Sequence, residues 1–218
     1  MDALLTAFTW PAFWAIFLGL EFWGATTGLW DVWLCMKEDI KNFPVGLLNI
    51  TIFFFMFWNQ KLFGSAVLQI FFFILSIWGW RVWLSGLRNT KEVTTSHDML
   101  VTEGLIAAIV GCIGTYYFGK YLATTGDPSP YLDAALAVFS VIAQYFMSKK
   151  VVQCWYIWIS IDVVSIWVYS HANLYITAGL YFVFLCMCIK GLYDWKHEPT
   201  YVKFGGQKIT IVPRPDVF

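Results

Sequence analysis

Residues 155–169 read WYIWISIDVVSIWVY, an apolar run that carries a single carboxylate, Asp162, near its middle. On a helical period this stretch places two indoles, the acid, a hydroxyl and a phenol on one face. These residues are Trp155, Trp158, Asp162, Ser165 and Tyr169. A charge near the centre of a bilayer costs roughly 2.5–3.5 kcal/mol on insertion scales, so an intramembrane acid usually faces a bundle interior or a water-filled path. We therefore interpret Asp162 as a functional residue; the alternative is a structural acid that hydrogen-bonds a neighbouring helix.

The composition is that of a membrane protein. Hydrophobic residues make up 59% of the 218 residues and charged residues 13%, whereas soluble domains carry about 25% charged residues. The formal net charge is zero, which gives no electrostatic basis for binding nucleic acid. The five cysteines form no CxxC pair and the three histidines lie apart, so neither a disulfide framework nor a metal site is predicted.

Seven stretches are long and apolar enough to cross a membrane as helices, which takes about 20 residues each. They lie at about 11–36, 43–60, 62–87, 98–122, 132–148, 151–170 and 174–195. Short polar links separate them. We predict an all-α membrane protein with one transmembrane domain over residues 1–195, followed by a polar tail over residues 196–218.

Lysine and arginine residues concentrate on one face of the predicted bundle. The links after the odd-numbered helices and the C-terminal tail carry most of them, whereas the opposite face has only Lys61 and Lys120. By the positive-inside rule, the N-terminus is expected outside the cell and the C-terminal tail in the cytoplasm.

The chain also contains an internal repeat. A gapless shift of 112 positions aligns residues of the first three helices with identical residues of the last three. Identical pairs are Lys37 and Lys149, Gly79 and Gly191, and Trp83 and Trp195. The units cover about 11–87 and 132–195, and the extra helix at 98–122 gives them the same orientation. We predict 3+1+3 parallel repeats, which place a ligand near the midplane between them; chance matching of apolar segments is the alternative.

Further polar and aromatic side chains inside the predicted helices extend the candidate site around Asp162. They are Asn49, Gln69, Trp80, Gln144, Tyr169 and Tyr181. Gln69 and Tyr181 are 112 positions apart and would face each other across the pseudo-symmetry axis. For each lone Asn or Gln, the alternative is an interhelical hydrogen bond, worth about 0.6 kcal/mol on average.

The chemistry of these side chains predicts the class of ligand. Aromatic faces attract cations, and the attraction reaches about 2 kcal/mol when the pair is desolvated. Asp162 would complement a positive charge, and the amides would bind hydroxyl or amide groups. The predicted ligand is therefore small, aromatic and cationic, with hydroxyl or amide substituents.

Three segments resemble PnuC-type vitamin transporters: residues 68–83, 148–169 and 174–195. The pattern WxxWxxx(N/D) at Trp155, Trp158 and Asp162 is the most specific element, and the Gly79-Trp80 pair supports it. The resemblance covers about residues 14–195 and implies a fold similar to that of the 3+1+3 SWEET sugar transporters.

The resemblance implies a bacterial inner-membrane protein that takes up nicotinamide riboside by facilitated diffusion. A cytoplasmic kinase then phosphorylates the vitamin and prevents its return. Proteins resembling this family also carry thiamine or riboflavin, and known members look like homotrimers. Family members often have Asn at the position of Asp162, so a second cation, thiamine, stays open as the substrate.

Two other classes of function are open but less favoured. A membrane-embedded enzyme could use Asp162 as acid or base, but no His, Cys or second acid stands at a catalytic spacing. A retinal photoreceptor needs a lysine in the middle of the seventh helix, and Lys190 lies near its end. The sequence indicates no cofactor, no nucleotide-binding loop and no site for a partner ion.

Overall fold

The structure, a computed structural model, describes residues 10–59, 63–88, 98–197, 200–204 and 207–212. Seven helices span nearly all of this part of the chain. They are α1 (Trp10–Met36), α2 (Asn42–Asn59), α3 (Phe63–Arg88), α4 (Val101–Thr124), α5 (Pro130–Ser148), α6 (Cys154–His171) and α7 (Tyr175–His197). The seven predicted helices are therefore present, with ends that differ from the predicted ones by a few residues.

Five of the helices are long and apolar enough to cross a membrane by length and composition alone, among the residues that were described. The spans are Asn42–Asn59, Gly64–Ser85, Val101–Thr124, Pro130–Ser148 and Tyr175–His197. Helix α6 falls outside this set because Asp162, several serines and a row of indoles and phenols lower its hydropathy. Helix α1 is the other helix outside this set, so the helix that carries the predicted site is one of two.

The helices pack as two groups of three with one helix between them in the chain. Helix α1 contacts α2 and α2 contacts α3, while α5 contacts α6 and α6 contacts α7. The two groups meet where α3 packs on α5 and where α7 packs on α1. Helix α4 packs on α5.

The boundaries of corresponding helices recur at one fixed separation. Helices α1 and α5 end at Met36 and Ser148, which are 112 positions apart, and the same separation relates both ends of α2 to both ends of α6. The links that follow α1 and α5 also share a backbone conformation, since Glu38 has φ 51° and Lys150 has φ 59°. Residues other than glycine adopt this left-handed region in only a few per cent of cases.

The buried core lies at the end of the bundle where α1 and α5 finish. Trp83 of α3 donates from Nε1 to the Ser148 carbonyl at 3.2 Å. Trp195 of α7 donates from Nε1 to the Met36 carbonyl, also at 3.2 Å. Each group of helices therefore sends one indole to the last carbonyl of a helix in the other group, where helix ends leave acceptors unpaired.

An ion pair joins the same two groups. Lys150 Nζ contacts Glu38 Oε2, and its ammonium lies 4.4 Å from the centroid of the Trp83 ring. Only 16% of the Lys150 side chain and 9% of the Glu38 side chain are exposed. We call Glu38, Trp83, Lys150 and Trp195 the clasp.

Helix α4 is fastened to the second group by packing and by one ion pair. A Cβ on Gly114 would lie 3.1 Å from Val138, so the absence of a side chain lets α4 approach α5 closely. At the start of α4, Glu103 accepts a hydrogen bond of 2.7 Å from Lys149. This hydrogen bond raises the pKa of Lys149 above its ordinary value.

A β-hairpin follows the last helix. Strand β1 (Thr200–Phe204) pairs antiparallel with β2 (Gln207–Val212). The sequence analysis predicted only a polar tail beyond residue 195, so the all-α description holds for the helical region and is wrong for the tail. The strands are short and carry charged residues, which is why hydropathy alone does not indicate them.

Candidate substrate site

Helix α6 turns the predicted stripe toward the interior of the bundle. Asp162 is 4% exposed, Ser165 is 3% exposed and Trp155 is completely buried, while Trp158 and Tyr169 are half-buried. Asp162 lies near the middle of this helix of 18 residues. The carboxyl group therefore lies near the middle of α6 and faces the interior of the bundle.

Several polar atoms on this stripe lack hydrogen-bond partners within the described part of the chain. They are Trp155 Nε1, Trp158 Nε1 and Asp162 Oδ2. Leaving a buried donor or acceptor unpaired costs about 1–3 kcal/mol, and more for a charged group. Buried polar atoms of this kind need a partner that these residues do not supply, such as a ligand or a water molecule.

The other walls near Asp162 come from α6 and α7. The thiol of Cys188 lies against the carboxyl group of Asp162. Tyr181 stacks on Tyr169 with ring centroids 5.3 Å apart and an interplanar angle of 22°. The structure thus brings Tyr169 and Tyr181 together, one helical turn or more from the acid, as an aromatic pair.

The two indoles of the WxxW pattern have different surroundings. Trp155 makes an edge-on contact with Trp195 at 5.3 Å, and a Cβ on Gly191 would lie 2.7 Å from its ring. Its ring is therefore enclosed by α7. Trp158 keeps exposed surface, so it is the indole that can offer a ring face to a ligand without repacking of the core.

The remaining predicted residues lie elsewhere in the bundle. Asn49 donates from Nδ2 to the Gly24 carbonyl at 2.6 Å and to Thr27 Oγ1 at 2.9 Å, so its amide donor links α2 to α1. Trp80 stacks on Phe43 with ring centroids 6.3 Å apart. Binding of a ligand by Asn49 or Trp80 stays a prediction.

Gln69 is half-buried on α3. Gln144 of α5 lines a small cavity of about 30 Å³ between α1, α2, α3 and α5, together with Asp31. The ligand role of each glutamine stays a prediction.

Asp31, which lines the same cavity as Gln144, was not among the predicted site residues. It lies five positions before the end of α1, and both carboxylate oxygens would be 3.0 Å from a Cβ on Gly46. The signal was present, because Asp31 is an acid within an apolar run and such residues mark functional sites by default.

The chain matches a protein family and several of its characterised relatives. A family model described as nicotinamide mononucleotide transporter matches residues 18–197. The nicotinamide riboside transporter PnuC of Escherichia coli is 24% identical over 201 residues, covering 81% of this chain and 84% of the relative. The riboflavin/roseoflavin transporter RibM of Streptomyces davaonensis is 26% identical over 178 residues, covering 79% and 82%.

The fold matches a solved structure as well. A crystal structure of the vitamin B3 transporter PnuC superposes with a TM-score of 0.66 at 22% identity, covering 88% of this chain and 84% of the other. At this identity the match establishes the fold of the helical region.

Proposed function

Because the chain belongs to the nicotinamide mononucleotide transporter family, we propose that it carries nicotinamide riboside into the cell by facilitated diffusion. It is a multi-pass protein of the bacterial inner membrane, and its relatives are vitamin transporters. The proposed substrate is a pyridinium ring with an amide and a ribose, which is the class of ligand that the site chemistry indicates. The transporters among its relatives also point away from an enzyme.

The observation that carries the proposal is the set of unpaired polar atoms on α6. Asp162 Oδ2 would face the positive ring, and Trp158 would offer its ring face and its free Nε1–H. A cation held between a carboxylate and an indole gains both Coulomb and cation–π attraction, and both are stronger away from water. A neutral aromatic ligand would gain only the packing part.

The same acid favours the riboside over its 5′-phosphate. A phosphate group would bring about −1.5 to −2 charges next to the acidic side chain of Asp162. Among the described residues near Asp162 (Cys188, Ser165 and the aromatic side chains) none is basic. We therefore propose that the phosphorylated vitamin is excluded, so that phosphorylation by a cytoplasmic kinase traps the vitamin inside.

We also propose that the two groups of helices are parallel repeats in a 3+1+3 arrangement, with the N-terminus outside and the tail in the cytoplasm. The recurring helix boundaries and the matched φ angles of Glu38 and Lys150 support this. The clasp then lies on the cytoplasmic side. For alternating access, the two groups of helices would rock about the midplane site. The resemblance to PnuC-type transporters also leads us to propose that the protein assembles as a trimer.

The test is uptake of labelled nicotinamide riboside by proteoliposomes that enclose the matching kinase and ATP. The unsubstituted chain should accumulate label, and Trp158→Ala should reduce uptake by at least tenfold because it removes the stacking face. Trp155→Ala should also abolish uptake, although Trp155 packs the core as well. Trp167→Ala is the matched control, since this indole on the same helix is 57% exposed. Full uptake by Trp158→Ala would contradict the stacking role.

Two other vitamins stay open as the substrate. The riboflavin/roseoflavin transporter among the relatives keeps riboflavin open, and the preference of Asp162 for cations keeps thiamine open. Thiamine is cationic and riboflavin is not. Competition of unlabelled thiamine and riboflavin against labelled nicotinamide riboside separates these substrates. Stronger competition by thiamine than by nicotinamide riboside itself would reassign the substrate.

A further inference from the structure

Asp31 lies at a second polar cavity that the transport proposal does not use. The cavity, of about 30 Å³, is bounded by the ends of α1 and α5, the start of α2 and the middle of α3. Its polar lining consists of Asp31, Asn42, Ser76, Gln144 and Ser148, with the backbone of Gly46. This volume has room for one or two water molecules and is far below the several hundred Å³ that an organic ligand needs.

The charge of the lining is unbalanced. Asp31 is the acid of the cavity, and none of the described residues that line it is basic. The nearby Lys150 lies over the lining residue Trp83 but is paired with Glu38. An ionised carboxylate held inside a bundle is costly unless a cation accompanies it.

Two neutral side chains of the lining, Asn42 and Ser148, keep oxygen lone pairs after the hydrogen bonds that they donate. Asn42 uses its Nδ2 to donate to the Asp39 carbonyl at 2.8 Å, which leaves Oδ1 as its acceptor. Ser148 uses its hydroxyl hydrogen toward the Gln144 carbonyl at 2.9 Å, which leaves its lone pairs. Oxygen-rich sites of carboxylates, amides and hydroxyls suit hard cations.

The acid of this cavity is specific to one group of helices. The positions 112 residues after Asp31, Asn42, Gly46 and Ser76 hold Ala143, Cys154, Trp158 and Cys188, none of which is an acid.

We propose that this cavity binds one monovalent metal cation of the size of Na⁺, held by the Asp31 carboxylate and by the oxygens of Asn42, Ser76 and Gln144. The cation joins α1, α2, α3 and α5 beside the clasp. It therefore stabilises the arrangement in which the two groups of helices are closed at this end. Vitamin transport does not require this ion to move with the substrate.

The test is thermal unfolding of the purified full chain at constant ionic strength and pH, with NaCl replacing choline chloride. The unsubstituted chain should gain several degrees in a saturable manner, since a ligand that binds only the folded state stabilises it. Asp31→Asn should abolish the sodium effect. Gly46→Ala should weaken sodium binding at least several-fold, because its Cβ would lie 3.0 Å from both Asp31 oxygens. Asp194→Asn removes an exposed acid that is paired with Lys190 and should leave the effect unchanged.

Several outcomes overturn the proposal. One is equal unfolding temperatures in NaCl and choline chloride, and another is a sodium effect that survives in Asp31→Asn. A third is stabilisation by lower pH in choline chloride with no added effect of sodium, because the carboxyl group then holds a proton. Equilibrium binding of radioactive sodium to the unsubstituted chain and to Gly46→Ala keeps the test decisive if Asp31→Asn does not fold. Vitamin binding measured on the same samples separates a failure of this proposal from a failure of the transport proposal.

Discussion

Asp162 differs from the acids of the links because its carboxylate lies at the middle of an apolar helix with one oxygen unpaired among the described residues. An amide of the same shape could still hydrogen-bond a ligand but could not balance a charge. The distinct contribution of the acid is therefore discrimination by charge. That contribution can be measured with two ligands of nearly identical shape.

We predict that Asp162→Asn lowers the affinity for nicotinamide riboside about tenfold, since hydrogen bonds to charged groups are worth about 1.5–3 kcal/mol. The affinity for the reduced dihydropyridine form, which is uncharged, should change by less than about threefold. Calorimetric titration of both forms against both proteins measures the difference. An equal loss for the two forms would show that the acid acts through shape or folding rather than through charge.

Gly191 is the second residue whose role is set by one contact. A Cβ there would lie 2.7 Å from the Trp155 ring, so a side chain must displace the indole or α7. Overpacking of a core costs about 1–3 kcal/mol. We predict that Gly191→Ala lowers the unfolding temperature by several degrees and weakens vitamin binding, because Trp155 and Trp158 belong to the same helix.

Gly179→Ala on the same helix is the matched control for this prediction. Nothing lies within 4 Å of a Cβ at Gly179, and the residue is exposed. Its unfolding temperature and affinity should stay within error of the unsubstituted chain or rise slightly, since Ala favours helix over Gly by up to about 1 kcal/mol. Equal effects of the two substitutions would remove the packing explanation.

At the scale of elements, the helices could be predicted from the sequence and the contacts between them could not. Apolar runs of sufficient length indicated all seven helices, and repetition at 112 positions aligned their ends. The ion pair of Glu38 and Lys150 was not indicated by the repeat. An internal repeat is recognised from identical residues at corresponding positions. Glu38 and Lys150 occupy corresponding positions but form an ion pair with each other, so they carry opposite charges and are not identical. The shift of 112 positions therefore aligns Lys37 with an identical lysine, Lys149, whereas the next two positions hold different residues, Glu38 and Lys150.

Asp31 and the hairpin were missed for other physical reasons. Asp31 lies within the first predicted helix, and its contact with Gly46 of α2 is not visible in the sequence. Strands β1 and β2 are stabilised by pairing with each other, and pairing partners are not visible in the hydropathy of either strand. The stripe on α6 was found because a helical period and one acid suffice to define it.

We predict that the charges of Glu38 and Lys150 in the clasp can be exchanged with little loss of stability. Lys150→Met leaves Glu38 buried without its partner, and breaking such a pair costs about 3–5 kcal/mol. The double substitution Glu38→Lys with Lys150→Glu should recover most of that loss, because both positions have nearly the same φ. Thermal unfolding of the single variants Glu38→Lys and Lys150→Glu and of the double variant measures the recovery of stability.

The exposed pair of Lys190 and Asp194 is the control for the clasp. Its side chains are 63% and 31% exposed, and exposed pairs contribute about 0–1 kcal/mol. Lys190→Met should therefore change the unfolding temperature by much less than Lys150→Met. If the exchanged double variant is no more stable than the single variants, the clasp does not depend on the pairing of these two charges.

For the whole molecule, the buried core and the clasp lie at the same end of the bundle, while Asp162 lies near the middle of α6. The arrangement is thus closed at the end where α1 and α5 finish. A transporter that alternates between two sides must open this end. The buried cysteines Cys35, Cys154 and Cys188 lie in or beside this core and can report the opening.

We predict that these thiols react slowly with a small maleimide in the unsubstituted chain, since buried thiols are inert. Lys150→Met should raise their rate at least tenfold, because loss of the clasp favours separation of the two groups of helices. Replacing the exposed Cys112 and Cys186 by serine removes the background, and mass spectrometry of the labelled peptides gives the rate at each site. Lys190→Met should leave the rates unchanged. Equal rates in all three proteins would mean that the clasp does not control access from this end, and the rocking movement would then need a different pair of contacts.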